Sequence, residues 1–313
     1  MSKEVKELDL VILGGGPAGL TAAIYASRAK LNTILLENSI LGGQVRNSFT
    51  IENYPGFKSI DGSELADKIQ EQAEELGAVI DEFDPVIDVK LDENEKIVET
   101  ESYIYKTKAV ILATGATPKK LPIPNENKFE GRGIHYCAVC DGALYDGKIV
   151  GVIGGGNSAL KEAIFLTRFA EKVYLIRRHD YFKGEKAILD KVNKNDKIEI
   201  LYNTDLVDVK GNTFVEKAIV RDVLTNEERE MDIDALFGYI GTEPKTKEFS
   251  SYIHLTSNGY IITDENMRTK IPGVYAAGDV REKEYRQITT AVADGTIAAL
   301  EAEKYIVANR SDL

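Results

Sequence analysis

The chain has 313 residues, 43% of them hydrophobic, and a formal net charge of −12. That length suits two domains, each closing its own core, while the negative field argues against nucleic acid or an anionic membrane as a main partner. The start, MSKEVKELDL, is polar, and no window approaches the roughly 18 apolar residues of a membrane span; the expectation is a soluble, cytoplasmic protein.

The first predicted unit spans 8–37, LDLVILGGGPAGLTAAIYASRAKLNTILLE: strand, Gly14-x-Gly16-x-x-Gly19, alanine-rich helix, and a second strand ending at Glu37. The three glycines suit a tight turn, close approach to a pyrophosphate and close helix-on-strand packing. A carboxylate about 20 residues on accepts from a ribose diol. The strand KAVILAT then leads into a connector rich in glycine and proline, ATGATPKKLPIPNE (113–126).

Next comes HYCAVCDGALY (135–145), which holds the chain's two cysteines, Cys137 and Cys140, in a C-x-x-C spacing followed by Asp141. Zinc wants about four N or S ligands. The three histidines, His135, His179 and His254, do not supply a second ligand pair, so no metal site is expected and the pair reads as a redox dithiol. C-x-x-C at a helix start brings two sulfurs within disulfide reach, and the helix N-terminus favours a thiolate.

Residues 148–178, KIVGVIGGGNSALKEAIFLTRFAEKVYLIRR, repeat the first design as strand, Gly154-x-Gly156-x-x-Ala159, helix and strand. Gly14 to Glu37 and Gly154 to Arg177 span the same 23 positions, so an arginine stands where the first copy has its acid. Arg177 cannot accept from a 2′-hydroxyl but can pair with a 2′-phosphate, with Arg178, His179 and Lys183 close by; this copy suits NADP. A second punctuated stretch, GYIGTEPKT (238–246), marks the return crossing. IPGVYAAGDV (271–280) places Asp279 at a strand-to-helix turn, and a helix follows in RQITTAVADGTIAALEAEKYI. The expected class is α/β, with two Rossmann-like βαβ nucleotide-binding domains, the second (117–243) inserted into the first (1–116 and 244–313).

With GGGPAG, GGQ, ENYPGF, ATGATPKKL, CAVCDG, GGGNSA, VYAAGDV and RQ-x-x-x-AV-x-DG in this order, the whole chain resembles the low-molecular-weight thioredoxin reductases. The resemblance implies FAD in the first domain, NADPH and the redox dithiol in the second, a homodimer, and a large rotation of one domain on the other. It implies FAD contacts from Gly14, Gly16, Gly19, Glu37, Gln44, Asn53, Asp279, Arg286 and Gln287, and thioredoxin as the partner. Cys140 is then the sulfur facing the flavin, Cys137 the one attacking the partner's disulfide, and Asp141 the proton donor and acceptor; His135 is read as structural. The second site departs from the family's GGGNSAxEEA and HRRxxxR. Lys161 replaces an acid and the basic run is RRHDYFK, which leaves reduced ferredoxin, the donor of a related clostridial-type branch, as the alternative. A non-enzymatic flavin redox sensor is the minor alternative.

Overall fold

The computed structural model describes residues 3–48 and 51–309. The chain forms two compact units, Met1–Thr117 with Glu243–Leu313, and Pro118–Thr242.

The first unit opens with β1 (Glu4–Leu13), α1 (Pro17–Arg28) and β2 (Thr33–Leu36), then α2 (Gly62–Glu75), β3 (Val79–Asp81), β4 (Val86–Leu91), β5 (Lys96–Thr100) and β6 (Tyr103–Leu112). β3, β2, β1 and β6 are parallel neighbours in that order. The far edge of β6 is shared: its first half pairs with antiparallel β5, which carries β4, and its last three residues pair with parallel β17 (Val274–Ala276). The central strands are apolar on both faces. Leu10 and Ile12 of β1 belong to one core cluster and Val11 and Leu13 to the other, as expected of a parallel sheet covered on both sides.

α1 begins with Pro17, whose fixed φ suits a first helical position and whose missing N–H would have had no helical partner. Its small residues let the long C-terminal helix α7 (Ile288–Ala308) lie close: a Cβ on Gly295 would stand 2.1 Å from the Ala18 carbonyl oxygen. α2 is started by Asp61, whose carboxylate accepts from the N–H groups of Ser63 (2.8 Å) and Glu64 (3.2 Å). The chain leaves this unit at β7 (Ala116–Pro118) and returns at β16 (Thr242–Pro244), and these two short strands pair with each other.

In the second unit α3 (Glu126–Phe129), β8 (Ile134–His135) and α4 (Ala138–Asp141) precede β9 (Ile149–Gly154), α5 (Asn157–Leu166), β10 (Lys172–Ile176), α6 (Lys186–Asn193) and β11 (Ile198–Leu201). β12 (Thr204–Lys210), β13 (Lys217–Asp222), β14 (Glu228–Asp232) and β15 (Ala235–Tyr239) follow. A parallel sheet runs β11-β10-β9-β15-β8, and β12-β13-β14 forms a separate antiparallel sheet. Alternation again sorts the faces. Ile153, Ile176 and Leu236 pack with Leu206, Val209, Ala218 and Val220 of the antiparallel sheet, while Val152, Leu175 and Phe237 pack under Leu160, Ala163, Leu166 and Val192 of α5 and α6. Ala138 of α4 belongs to this helix-covered core. The C-x-x-C segment is thereby anchored by its middle while Val139 remains exposed.

Among the described residues, no helix is long and apolar enough to cross a membrane, and no three His, Cys, Asp or Glu side chains gather to hold a metal ion.

Candidate active site and nucleotide cradles

The cysteines form a disulfide, Cys137–Cys140, with their Cα atoms 5.3 Å apart. Cys137 caps α4: its Sγ accepts from the Cys140 N–H at 3.2 Å. A thiolate formed there would keep that donor, so the local fold favours charge on Cys137. The Ala138 N–H at the same helix start donates to the Tyr239 hydroxyl at 2.7 Å. Burial, and then the negative Glu162, raise the Tyr239 phenol well above its usual range, so it stays neutral. Glu162 on α5 is itself pushed up by burial, and its Oε2 has no hydrogen-bond partner among the described residues.

Asp141 ends α4, and its Oδ2 lies 3.2 Å from Nδ1 of His135, the last residue of β8. Nε2 of the same ring lies 2.7 Å from the Tyr145 hydroxyl, and the ring stacks on Phe237 with centroids 5.4 Å apart. The dithiol, its aspartate and a buried histidine therefore form one constellation on the helix-covered face of the second unit.

In the first unit Gly14 has φ +106°, and a Cβ on Gly19 would stand 1.8 Å from the Gly14 carbonyl oxygen, so this turn admits glycine at both places. A Cβ on Gly16 would meet nothing within 4 Å. That open side lies at the N-terminus of α1, which no side chain caps, and a pyrophosphate there would satisfy the first helical N–H groups. Glu37, just past β2, accepts from the Gly15 N–H through Oε2 (2.7 Å) and from the Ser39 N–H through Oε1 (3.0 Å), which holds its carboxylate at the turn.

Asp279 follows β17 in a short 3₁₀ turn. Its Oδ1 is buried without a hydrogen-bond partner among the described residues, and burial raises its carboxyl above the usual range despite Lys283 and Arg286. A buried lone acceptor beside the turn of the first cradle fits a sugar or pyrophosphate-side donor, since leaving it unmatched is costly. Arg286 also has a buried Nε with no hydrogen-bond partner among the described residues, its guanidinium 4.3 Å from the Tyr260 ring centre. Gln287 caps α7 and accepts from the exposed Asn53 side chain at 3.3 Å, and Gln44 is exposed in the 3₁₀ turn Gly43–Asn47. These features fit FAD.

The second cradle shares the close packing and the open side, though Gly154 lacks the positive φ of Gly14. A Cβ on Gly154 would press on the Tyr239 carbonyl (2.5 Å) and Ala159 Cβ (2.8 Å), one on Gly156 would meet nothing, and α5 starts without a side-chain cap. The guanidinium of Arg177 folds over Gly155, where a Cβ would come within 2.3 Å of Cζ, and its Nε donates to the Tyr181 carbonyl at 3.0 Å. His179 stacks on Tyr181 at 5.5 Å, while Arg178 and Lys183 are exposed. Lys183 is tied to the turn through its backbone, its N–H donating to the Gly155 carbonyl at 2.8 Å. The open turn and the basic side chains around it fit a nucleotide carrying a 2′-phosphate.

A family model described as pyridine nucleotide-disulphide oxidoreductase matches residues 8–295. The chain is 53% identical over 304 residues to the "34.2 kDa protein in rubredoxin operon" of Clostridium pasteurianum, covering 97% of this chain and 99% of that one. It is 44% identical over 309 residues to the thioredoxin reductase of Bacillus subtilis, covering 98% and 96%. The crystal structure of thioredoxin reductase from Streptococcus pyogenes superposes with a TM-score of 0.91 at 40% identity, covering 96% of this chain and 99% of that one. A matched span running through both glycine turns and the disulfide between them leaves one assignment: the chain belongs to the pyridine nucleotide-disulphide oxidoreductase family.

Proposed function

We propose that the protein is a cytoplasmic, homodimeric thioredoxin reductase, taking two electrons from NADPH and delivering them through the Cys137/Cys140 pair to the disulfide of thioredoxin. The observation that carries this reading is the Cys137–Cys140 disulfide, capped into a helix start beside Asp141, in a unit with its own nucleotide turn. Gly14, Gly16, Gly19, Glu37, Gln44, Asn53, Asp279, Arg286 and Gln287 would hold FAD. Gly154, Gly156, Ala159, Arg177, Arg178, His179 and Lys183 would hold NADPH. Bound FAD supplies a two-electron relay between a nicotinamide and a disulfide.

The exchange chemistry belongs to the chain's own residues. Once the pair is reduced, the Cys137 thiolate attacks one sulfur of the partner's disulfide, forming a mixed disulfide and expelling the other sulfur as a thiolate. Asp141 gives that thiolate its proton. Cys140 then gives up its proton and attacks Cys137 Sγ, restoring the intramolecular bond and expelling the partner's second sulfur, which takes that proton to become a thiol. Two electrons and two protons have moved, and the pair is reset by the hydride equivalent of one NADPH and one solvent proton.

Arg177 carries the coenzyme preference. Its replacement by alanine removes one charge-assisted contact to a 2′-phosphate, worth about 1.5–3 kcal/mol. The expected outcome is a KM for NADPH raised about ten- to a hundredfold, with the KM for NADH unchanged. Equal losses for the two coenzymes would contradict the assignment.

A further inference from the structure

His135 is only 5% exposed, yet both its ring nitrogens have polar partners on different elements, Asp141 of α4 and Tyr145 of the turn that follows. The protonation pattern follows from the chemistry of those partners. Burial, followed by the negative charges of Asp141 and Asp234, pushes the Tyr145 hydroxyl up to about 12, so it keeps its proton at any working pH and meets Nε2 as a neutral hydroxyl. The Asp141 carboxylate can only accept, so its contact with Nδ1 at 3.2 Å puts a proton on that nitrogen. Phe237 fixes the plane of the ring from below by stacking.

We infer that His135 is a positioning residue for the reductase reaction: its Nδ1–H holds Oδ2 of Asp141 and stabilises the carboxylate that forms when Asp141 protonates the leaving thiolate. This rests on the role proposed for Asp141 above. No bond to His135 forms or breaks; the proton leaves Asp141 for sulfur, and the negative charge left behind is met by the imidazole N–H. The other ionisable groups packed around the pair have other partners or are acids. Tyr239 of β15 accepts from the Ala138 N–H, and Glu162 of α5 is an acid raised by burial. Asp234 bears on Tyr145 as a negative charge, itself paired to Lys148 at 3.4 Å. Apart from Lys148, every one of these groups is neutral or acidic, so the imidazole N–H is the donor that the structure places on the Asp141 carboxylate.

The test compares two replacements in the FAD-loaded enzyme. An asparagine can place its amide nitrogen where Nδ1 stood, whereas glutamine reaches the Nε2 position and leaves Asp141 without its donor. With His135→Gln, turnover of thioredoxin is expected to fall about tenfold with KM for thioredoxin little changed, and the limb of the pH profile that Asp141→Asn abolishes is expected to move to higher pH by about one unit. His135→Asn is expected to retain both rate and profile to within about threefold. Neither replacement should slow the enzyme further in an Asp141→Asn background. Tyr145→Phe, which leaves the ring in place but removes the partner of Nε2, is expected to shift the same limb by less. A His135→Gln profile that superposes on the wild type, or equal impairment by asparagine and glutamine with no shift of the limb, would overturn the inference. Wild-type turnover by Asp141→Asn itself would instead remove the acid role of Asp141, and the function of His135 with it.

Discussion

Replacing Cys140 with serine is expected to lower thioredoxin reduction by on the order of a thousandfold or more, because the remaining groups of a catalytic unit do little once one member is gone. Cys137 is the chain's only other cysteine, so no further thiol can stand in. A lone Cys137 can attack the partner's disulfide, but nothing in the chain can then displace it. The mixed disulfide should therefore accumulate as a one-to-one adduct, released by an added dithiol. Turnover with thioredoxin and a mass measurement of the trapped species check both halves. Normal turnover by Cys140→Ser would exclude the dithiol relay.

The second large effect is expected at Gly19. A Cβ there would lie 1.8 Å from the Gly14 carbonyl oxygen and 3.0 Å from its carbon, and both are backbone atoms locked between β1 and α1. Valine cannot be accommodated without opening the turn. Gly19→Val is expected to cost about 3 kcal/mol or more and to leave the first unit without bound flavin. Gly16 is the internal control. Its Cβ would meet nothing within 4 Å, so Gly16→Ala should leave the stability of the apoprotein within about 1 kcal/mol of wild type while weakening FAD retention. Denaturant unfolding curves together with flavin content after desalting separate the two. Wild-type stability and flavin content in Gly19→Val would contradict this account of the turn.

The glycine turns were legible because their constraint is local. Strand, turn, helix and second strand follow one another without interruption in 8–37 and again in 148–178, and the chain forms β1-α1-β2 and β9-α5-β10 over those stretches. What surrounds them was not legible. The division of β6's edge between antiparallel β5 and parallel β17 joins residues 104–107 and 110–112 to strands on opposite sides of the inserted unit, a pairing no periodicity announces. β14, with the pattern Glu228–Asp232, is charged and largely exposed; it is held by register against β13 rather than by an apolar signature.

The same distinction runs through the active site. The C-x-x-C spacing and the adjoining Asp141 announce a redox pair on sequence alone. The Cys140 N–H on Cys137 Sγ and the Tyr239 hydroxyl at the helix start do not, since Tyr239 lies about a hundred residues away and is brought in by β15. His135 reads as structural in the sequence because its role depends on Phe237 below and Tyr145 beside it. The signal was nonetheless within one stretch, HYCAVCDGALY, where a histidine, an aspartate and a tyrosine flank the thiols. Only the turn after α4, which carries Tyr145 back to the far side of the ring, turns that juxtaposition into a hydrogen-bonded chain. The basic run at 177–183 shows another limit. Its composition suggests a phosphate, while the packing of Arg177 over Gly155 and of His179 on Tyr181 comes from the backbone path after β10.

The most direct measurement is anaerobic mixing of the oxidised, FAD-loaded protein with NADPH and, separately, with NADH, followed at the flavin's visible absorbance band, with oxidised thioredoxin added afterwards. The expected result is rapid bleaching by NADPH, much slower bleaching by NADH, and recovery of the band on adding thioredoxin in the wild type but not in Cys140→Ser. No bleaching by either nucleotide, with full reduction by reduced ferredoxin, would contradict it and assign the electrons to a protein donor.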